Sequence, residues 1–236
     1  MKKLFIVFFI ILAGVCAMAN QKPVERFYDA QSVLEELVEK PDSGAFKELL
    51  KKARGIAFFP NVIKGGLVVG GQYGEGFLLK RDKENNQWYG PLFLKLYKVS
   101  YGPQIGLESI GLILLIMNDN GFEGFTKDNI TLGGSLSVSA GPVGRSLSAD
   151  FDYTLQAIFS YSLSRGFYAG FTLEGSLVKN DREANEKFFG GYVAAKDILK
   201  RKATDSPEIS DLIEILDTMI NGTQKKSDID NYKSGL

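Results

Sequence analysis

No histidine occurs anywhere in this 236-residue sequence, and its single cysteine is Cys16. Nucleophilic chemistry of the Ser-His-Asp and Cys-His kinds therefore has no base to run on. His-ligated zinc or iron and four-cysteine metal centres have no ligands either. One cysteine also excludes an intramolecular disulfide framework. Carboxylates recur close together at Asp150 with Asp152 and at Glu174 with Asp181. Such pairs hydrolyse glycosides when they face a substrate from two sides. With 28 acidic residues in the chain, however, pairs arise without any catalytic purpose. No residue set supplies both a nucleophile and a base of suitable pKa, so an enzyme is not expected. The run Gly70-Gly71-Gln72-Tyr73-Gly74-Glu75-Gly76 is dense enough to cradle a phosphate. It lacks the Lys-Ser/Thr ending of a P-loop and the glycine spacing of a dinucleotide fingerprint, and is read as a strand that turns or kinks. No cofactor and no metal are expected.

Cations offer more. Lys51, Lys52 and Arg54 come just before Phe58 and Phe59, and Lys64 follows; Arg145 and Arg165 lie in glycine-flanked turns. Basic side chains beside exposed aromatics can hold anionic headgroups, each Lys or Arg near such a surface contributing about 1 kcal/mol. The competing reading is a favourable charge at a helix C-terminus and a solvated face. Lys and Arg total 28 against 28 Asp and Glu. A chain without a basic surplus is a poor nonspecific nucleic-acid binder, so any anion attraction has to come from a local patch.

These residues need elements to position them. Val24, Phe27, Ala30, Val33, Leu34, Leu37 and Val38 mark one face of a helix stopped by Pro41. A second helix is expected over 44–53, with Asp42 or Ser43 as its cap. Twenty of the 26 glycines then fall between Gly55 and Gly175, among short aromatic and β-branched segments. Strands are expected at 56–59, 66–73, 76–81, 88–96, 112–117, 132–140, 155–163 and 167–177, with a polar hairpin loop over 82–87 and a second hairpin turning at Ser164-Arg165-Gly166. Helix returns after Asp181, where Gly190-Gly191 is a potential break, and again after Ser206-Pro207-Glu208. The expected fold class is α+β: a glycine-rich antiparallel β-barrel or sandwich flanked by N- and C-terminal helices.

At the N-terminus, Met1-Lys2-Lys3, the apolar run Leu4–Ala13 and Ala17-Met18-Ala19 form a secretory signal pattern. The run is too short for a spanning helix, which takes roughly 20 apolar residues. Cleavage after Ala19 is expected, giving an exported chain of bacterial style, periplasmic or extracellular. Lipid attachment at Cys16 is disfavoured because Val15 stands where a small residue is needed. Residues 20–222 then form one domain and 223–236 a polar tail.

A series of ordered motifs carries a family resemblance. They are Ala53-Arg54-Gly55-Ile56-Ala57-Phe58-Phe59-Pro60, Lys64-Gly65-Gly66, Val69-Gly70-Gly71, Trp88 with Pro91, and Ser100-Tyr101-Gly102-Pro103-Gln104-Ile105-Gly106. Ala140-Gly141-Pro142-Val143-Gly144-Arg145, Tyr161-Ser162-Leu163-Ser164-Arg165-Gly166-Phe167-Tyr168-Ala169-Gly170, Leu173-Glu174-Gly175-Ser176 and Phe188-Phe189-Gly190 follow in order. Over roughly residues 30 to 200 the chain resembles the SYLF domain, a lipid-binding module that binds actin in some eukaryotic members. The resemblance implies non-enzymatic binding of anionic phospholipid or phosphoinositide headgroups at a membrane surface. Lys51, Lys52, Arg54, Phe58, Phe59, Lys64, Arg145 and Arg165 are the candidate contacts. Actin binding is not expected of an exported chain. The alternatives are an envelope assembly protein binding another protein, or a carrier of an acyl chain in a barrel cavity.

Overall fold

The computed structural model describes residues 22–40, 43–66, 69–101, 106–127, 129–142, 156–164 and 173–221. The leader, Cys16, the Asp150–Asp152 pair, Arg145, Arg165, the turn of the second expected hairpin and the tail lie outside these residues.

Helix α1 (Glu25–Glu39) buries Phe27, Ala30, Val33, Leu34 and Leu37, the face expected from their spacing. Helix α2 (Gly44–Lys52) buries Ala45, Phe46, Leu49 and Leu50. Ser43 stands at its N-cap, but its hydroxyl donates back to the Val38 carbonyl at 3.0 Å and caps no amide of α2. Four long strands follow: β1 (Gly55–Gly66), β2 (Val69–Asp82), β3 (Gln87–Tyr101) and β4 (Gly106–Ile116). After them come helix α3 (Asp119–Thr126), short strands β5 (Asn129–Thr131) and β6 (Val138–Ala140), and then β7 (Ile158–Ser164) and β8 (Leu177–Asn180). The described residues end in α4 (Arg182–Phe189), the single turn α5 (Ala195–Ile198), two 3₁₀ turns and α6 (Ser210–Asn221). The eight strands form one curled half-barrel sheet in the order β5-β8-β3-β2-β1-β4-β7-β6. All neighbours are antiparallel except β6 with β7. The α+β class with helices at both ends holds, and the sheet is a single mixed one.

Both faces of the central strands are covered. On one face Phe58, Phe77, Phe93, Ile113, Leu115 and Phe159 pack under α1, α2 and α6. On the other, Ala57, Phe59, Leu78, Leu92, Leu112, Leu114 and Ile116 pack with Phe125 of α3, Ile130, Ile198 and Leu199. Burial on both faces explains why β4 carries the unbroken apolar run Ile110–Ile116 instead of an alternating pattern. Each fully buried Leu, Ile or Phe contributes roughly 1.5–3 kcal/mol, so the central strands hold the fold from both sides.

Three expectations are corrected. Residues 69–73 and 76–81 are not in two strands but in one, β2, and Gly66 ends β1. A Cβ on Gly74 would lie 2.9 Å from Val62, and one on Gly76 2.0 Å from the Phe58 carbonyl oxygen. These glycines do not turn the chain; they admit the irregularity of β1 between Phe58 and Asn61. Residues 132–140 are not one strand, because Leu132 bridges to Leu136 around a turn in which Gly133 has φ +76°. Residues 173–176 form a turn, and β8 pairs with β3 and β5 while β7 pairs with β4 and β6, so the described parts of 156–163 and 167–177 do not pair as a hairpin. The polar loop between β2 and β3 and the stop of α4 at Gly190 (φ +74°) are as expected.

Candidate functional site

The end of α2 and the β2–β3 loop bring five cations together. Lys51 and Lys52 occupy the last turn of α2, and Arg54 starts the crossing into β1. Arg81, at the end of β2, is largely buried. Its Nη1 donates to the Lys51 carbonyl at 3.1 Å, its Nη2 donates to Asn86 Oδ1 at 2.7 Å, and its guanidinium lies 5.8 Å from the Trp88 ring centroid. Lys83 Nζ donates to the Lys52 carbonyl. Two cations thus sit on carbonyls at the negative end of the α2 dipole. Burial lowers the Lys83 ammonium pKa, and the fields of Arg54 and Arg81 lower it further. Burial also lowers the Arg81 pKa, partly offset by Asp217. Acidic side chains stand among these cations: Asp119 of α3 is 3.2 Å from Arg54 Nε, with the two side chains 49% and 72% exposed, and Asp217 of α6 acts on Arg81. An overall neutral chain thus gathers five of its cations at one tip.

The candidates from the sequence divide. Lys51, Lys52 and Arg54 belong to the tip. Phe58 and Phe59 are 0% exposed, one in each core, so the expectation that they meet a headgroup is corrected: β1 is central and covered on both faces. Lys64 lies nine residues along β1 from Gly55, about 30 Å at strand spacing, and takes no part in the tip. It pairs in register with Gln72 of β2 and Glu108 of β4. On the next strand over, the Lys98 pKa is lowered by burial first and by Lys64 second. Sequence reasoning missed Arg81 and Lys83. Their type was visible, but only the hairpin register brings them back to the end of α2.

A buried ionic network lies elsewhere. Arg26 Nη2 of α1 is 2.7 Å from Glu75 Oε2 on β2 and 2.9 Å from Asp181 Oδ2, just before α4. Lys95 Nζ is 3.1 Å from Asp181 Oδ1, which also accepts the Ala184 N–H that opens α4. Tyr73 donates its hydroxyl to Glu75 Oε1 at 2.6 Å; burial and this bond hold the phenol far above its usual pKa. Both carboxylates face cations, an arrangement suited to locking elements together and not to proton transfer. Asp181 and Glu174 do not form a catalytic pair, because Asp181 is committed to Arg26, Lys95 and the helix cap.

On the second face of the sheet, a cleft of about 910 Å³ lies between α3, the start of α4 and the 192–200 segment. Phe122, Val193, Ala194 and Ala195 give it apolar surface, and Lys80, Lys127, Arg182 and Lys196 bring cations from four separate parts of the chain. Among the described residues, no group of acidic or cysteine side chains is placed to hold a metal ion, and no helix is long and apolar enough to cross a membrane.

Comparison with known proteins places this arrangement. The family described as Ysc84, Las17-binding protein actin regulator, matches residues 97–219. The bovine SH3 domain-containing YSC84-like protein 1 is 35% identical over 180 residues, covering 75% of this chain and 52% of the relative. LAS seventeen-binding protein 3 of Saccharomyces cerevisiae is 33% identical over 175 residues, covering 72% of this chain and 38% of the relative. Protein YSC84 of the same yeast is 34% identical over 174 residues, covering 72% and 37%. The chain thus spans about half the length of the mammalian relative and less of the yeast ones. These relatives are eukaryotic and carry names of binding and regulatory proteins, so the expectation of a bacterial source is not borne out by them. The SYLF resemblance read from the ordered motifs is shown: this chain belongs to the Ysc84 family.

Proposed function

We propose that the protein binds anionic phospholipid headgroups at a membrane surface, without catalysis, through the positive tip formed by Lys51, Lys52, Arg54 and Lys83. The observation that carries this reading is the concentration of cations from α2, the α2–β1 junction and the β2–β3 loop at one end of a neutral molecule. Such a patch attracts an anionic surface over about one Debye length, roughly 8–10 Å at physiological salt, so binding weakens as salt rises. Phe58 and Phe59 play no part, and the contact is electrostatic. The test is co-sedimentation with phosphatidylserine-rich and with phosphatidylcholine vesicles at low and physiological salt. The wild-type protein is compared with Lys51→Glu/Lys52→Glu/Arg54→Glu. Selective, salt-sensitive pelleting that the triple variant loses supports the reading; equal pelleting of both proteins overturns it. Export after cleavage at Ala19 belongs to the same proposal, and an intact Met1 on the mature chain would remove it.

A second reading has its own support. The family description names Las17 binding and actin regulation, so a protein partner on the same tip is its competitor. Actin co-sedimentation of the wild-type protein without vesicle binding would favour it.

A further inference from the structure

We propose that the cleft between α3, α4 and the 192–200 segment is a second binding site, separate from the tip, that holds one small anionic amphiphile: an apolar body bearing a phosphate. Its volume, about 910 Å³, falls within the range of small-molecule sites. The lining divides by chemistry. Phe122, Val193, Ala194 and Ala195, all partly exposed, form an apolar part, and Leu92 and Leu199 are buried beneath it. Lys80 comes from β2, Lys127 from the end of α3, Arg182 from the first turn of α4 and Lys196 from α5. The Lys80 ammonium lies 5.6 Å from the Phe122 ring centroid, so a cation and an apolar surface meet at one point of the wall. Acidic side chains are present too: Asp197 is tied to Lys200 at 2.9 Å, and Glu123 and Glu186 share the lining with the cations.

The two halves select the ligand together. A wholly apolar molecule would strip water from the ammonium groups without returning a partner, which is costly. A bare inorganic anion would leave the apolar part wet and forgo its burial. A phosphate on a single alkyl chain satisfies both, with the phosphate met by the cations of the lining and the chain over Phe122, Val193, Ala194 and Ala195. This inference does not rest on the membrane reading. The tip lies at the end of α2, and the cleft involves none of Lys51, Lys52 or Lys83.

The test is calorimetric titration of the protein with a short-chain lysophosphatidate below its micelle concentration. Lysophosphatidylcholine of equal chain length and inorganic phosphate serve as comparisons. Lysophosphatidate is expected to bind at least tenfold more tightly than either. Lys80→Glu/Lys196→Glu is expected to lower its affinity at least tenfold, and Ala194→Trp, which fills the cleft without changing charge, to do the same. Both variants should keep the wild-type melting temperature, and Ala194→Trp, which leaves the charge alone, should keep wild-type vesicle pelleting. Lys51→Glu/Lys52→Glu/Arg54→Glu should keep wild-type lysophosphatidate affinity. Absence of binding overturns the proposal, as does equal affinity for phosphate alone or for the choline lipid. So does loss of binding in the tip variant alone. Failure of vesicle pelleting with lysophosphatidate binding intact would sink the membrane reading and leave the cleft standing.

Discussion

Arg26 of α1 and Glu75 of β2 meet at 2.7 Å with side chains only 2% and 6% exposed. The pair joins the N-terminal helix to the strand that carries the tip loop, and Asp181 and Lys95 extend it to β3 and α4. A buried ion pair adds little over an apolar replacement of both partners, but removing one partner strands a charge, which costs about 3–5 kcal/mol. Arg26→Met is therefore expected to destabilise the protein by roughly that amount, and Arg26→Met/Glu75→Gln by less than the sum of the two single changes. Urea unfolding of the four proteins in the cycle checks this; strict additivity would mean that the residues do not act as a pair.

Tyr73 carries the pH dependence of the same network. Its phenol pKa is raised from the ordinary 10.0, by burial first and by the Glu75 hydrogen bond second, and burial also raises that of Tyr161. The unfolded chain loses these protons near pH 10 while the fold keeps them. The stabilisation is thus complete below pH 10 and is lost progressively as pH climbs from there towards the folded values. Urea midpoints between pH 8 and 11 should fall on the alkaline side, and Tyr73→Phe should flatten that fall. An unchanged slope in Tyr73→Phe would remove Tyr73 as the cause.

Glycine in β2 gives a sharp contrast. A Cβ at Gly76 would press 2.0 Å from the Phe58 carbonyl oxygen, whereas one at Gly71 would meet only the Lys98 carbonyl oxygen at 3.6 Å, an ordinary contact. Gly76→Ala is expected to destabilise by about 2 kcal/mol or more through overpacking against backbone. Gly71→Ala should lie within about 1 kcal/mol of wild type, because the lost chain entropy of glycine offsets small strain. Melting temperatures of the two variants decide it; equal shifts would mean that β1 yields at its irregular point.

That contrast also shows where the sequence was readable. The face of α1, the places of α2 and α6, the 82–87 loop and the helix start after Asp181 were legible because each depends on residues within a few positions of one another. Helix α3 was not expected; it is only eight residues long and holds Gly121 and Gly124, which weaken a helical pattern. In the structure they permit close approach, with a Cβ on Gly124 falling 2.6 Å from Leu136. Asn118 supplies the cap by accepting the Gly121 N–H at 2.9 Å. At the tip, Lys51, Lys52 and Arg54 were legible as neighbours. The return of Arg81 and Lys83 was not, because it depends on the pairing of Lys80 with Gly55 and Asp82 with Gln87. Phe58 and Phe59 were misread as exposed because of the cations beside them, although the unbroken apolar run Ile56–Phe59 is the pattern of a strand buried on both faces.

The tip itself separates two roles that share one charge sign. Arg81 is largely buried, bonded to the Lys51 carbonyl and to Asn86, and lies against Trp88, whose Nε1 donates to Asp217 of α6 at 2.8 Å. Lys51 is exposed, and Lys52 is partly so on the same helical turn. Arg81→Gln leaves the α2 end and Asn86 without their donor, so it should cost about 1–3 kcal/mol of stability. At a temperature where the variant is fully folded, its vesicle affinity should change little. Lys51→Glu/Lys52→Glu should do the reverse, with a melting temperature near wild type and vesicle binding reduced more than tenfold at low salt. Placing two acidic side chains on the last turn of α2 opposes the dipole by only about 0.3–1 kcal/mol each, too little to mimic unfolding. Measuring melting temperature and vesicle pelleting on the same two proteins settles the assignment. If Arg81→Gln loses vesicle binding while Lys51→Glu/Lys52→Glu keeps it, the exposed lysines are a solvated helix end and the binding surface has to be sought around Arg81.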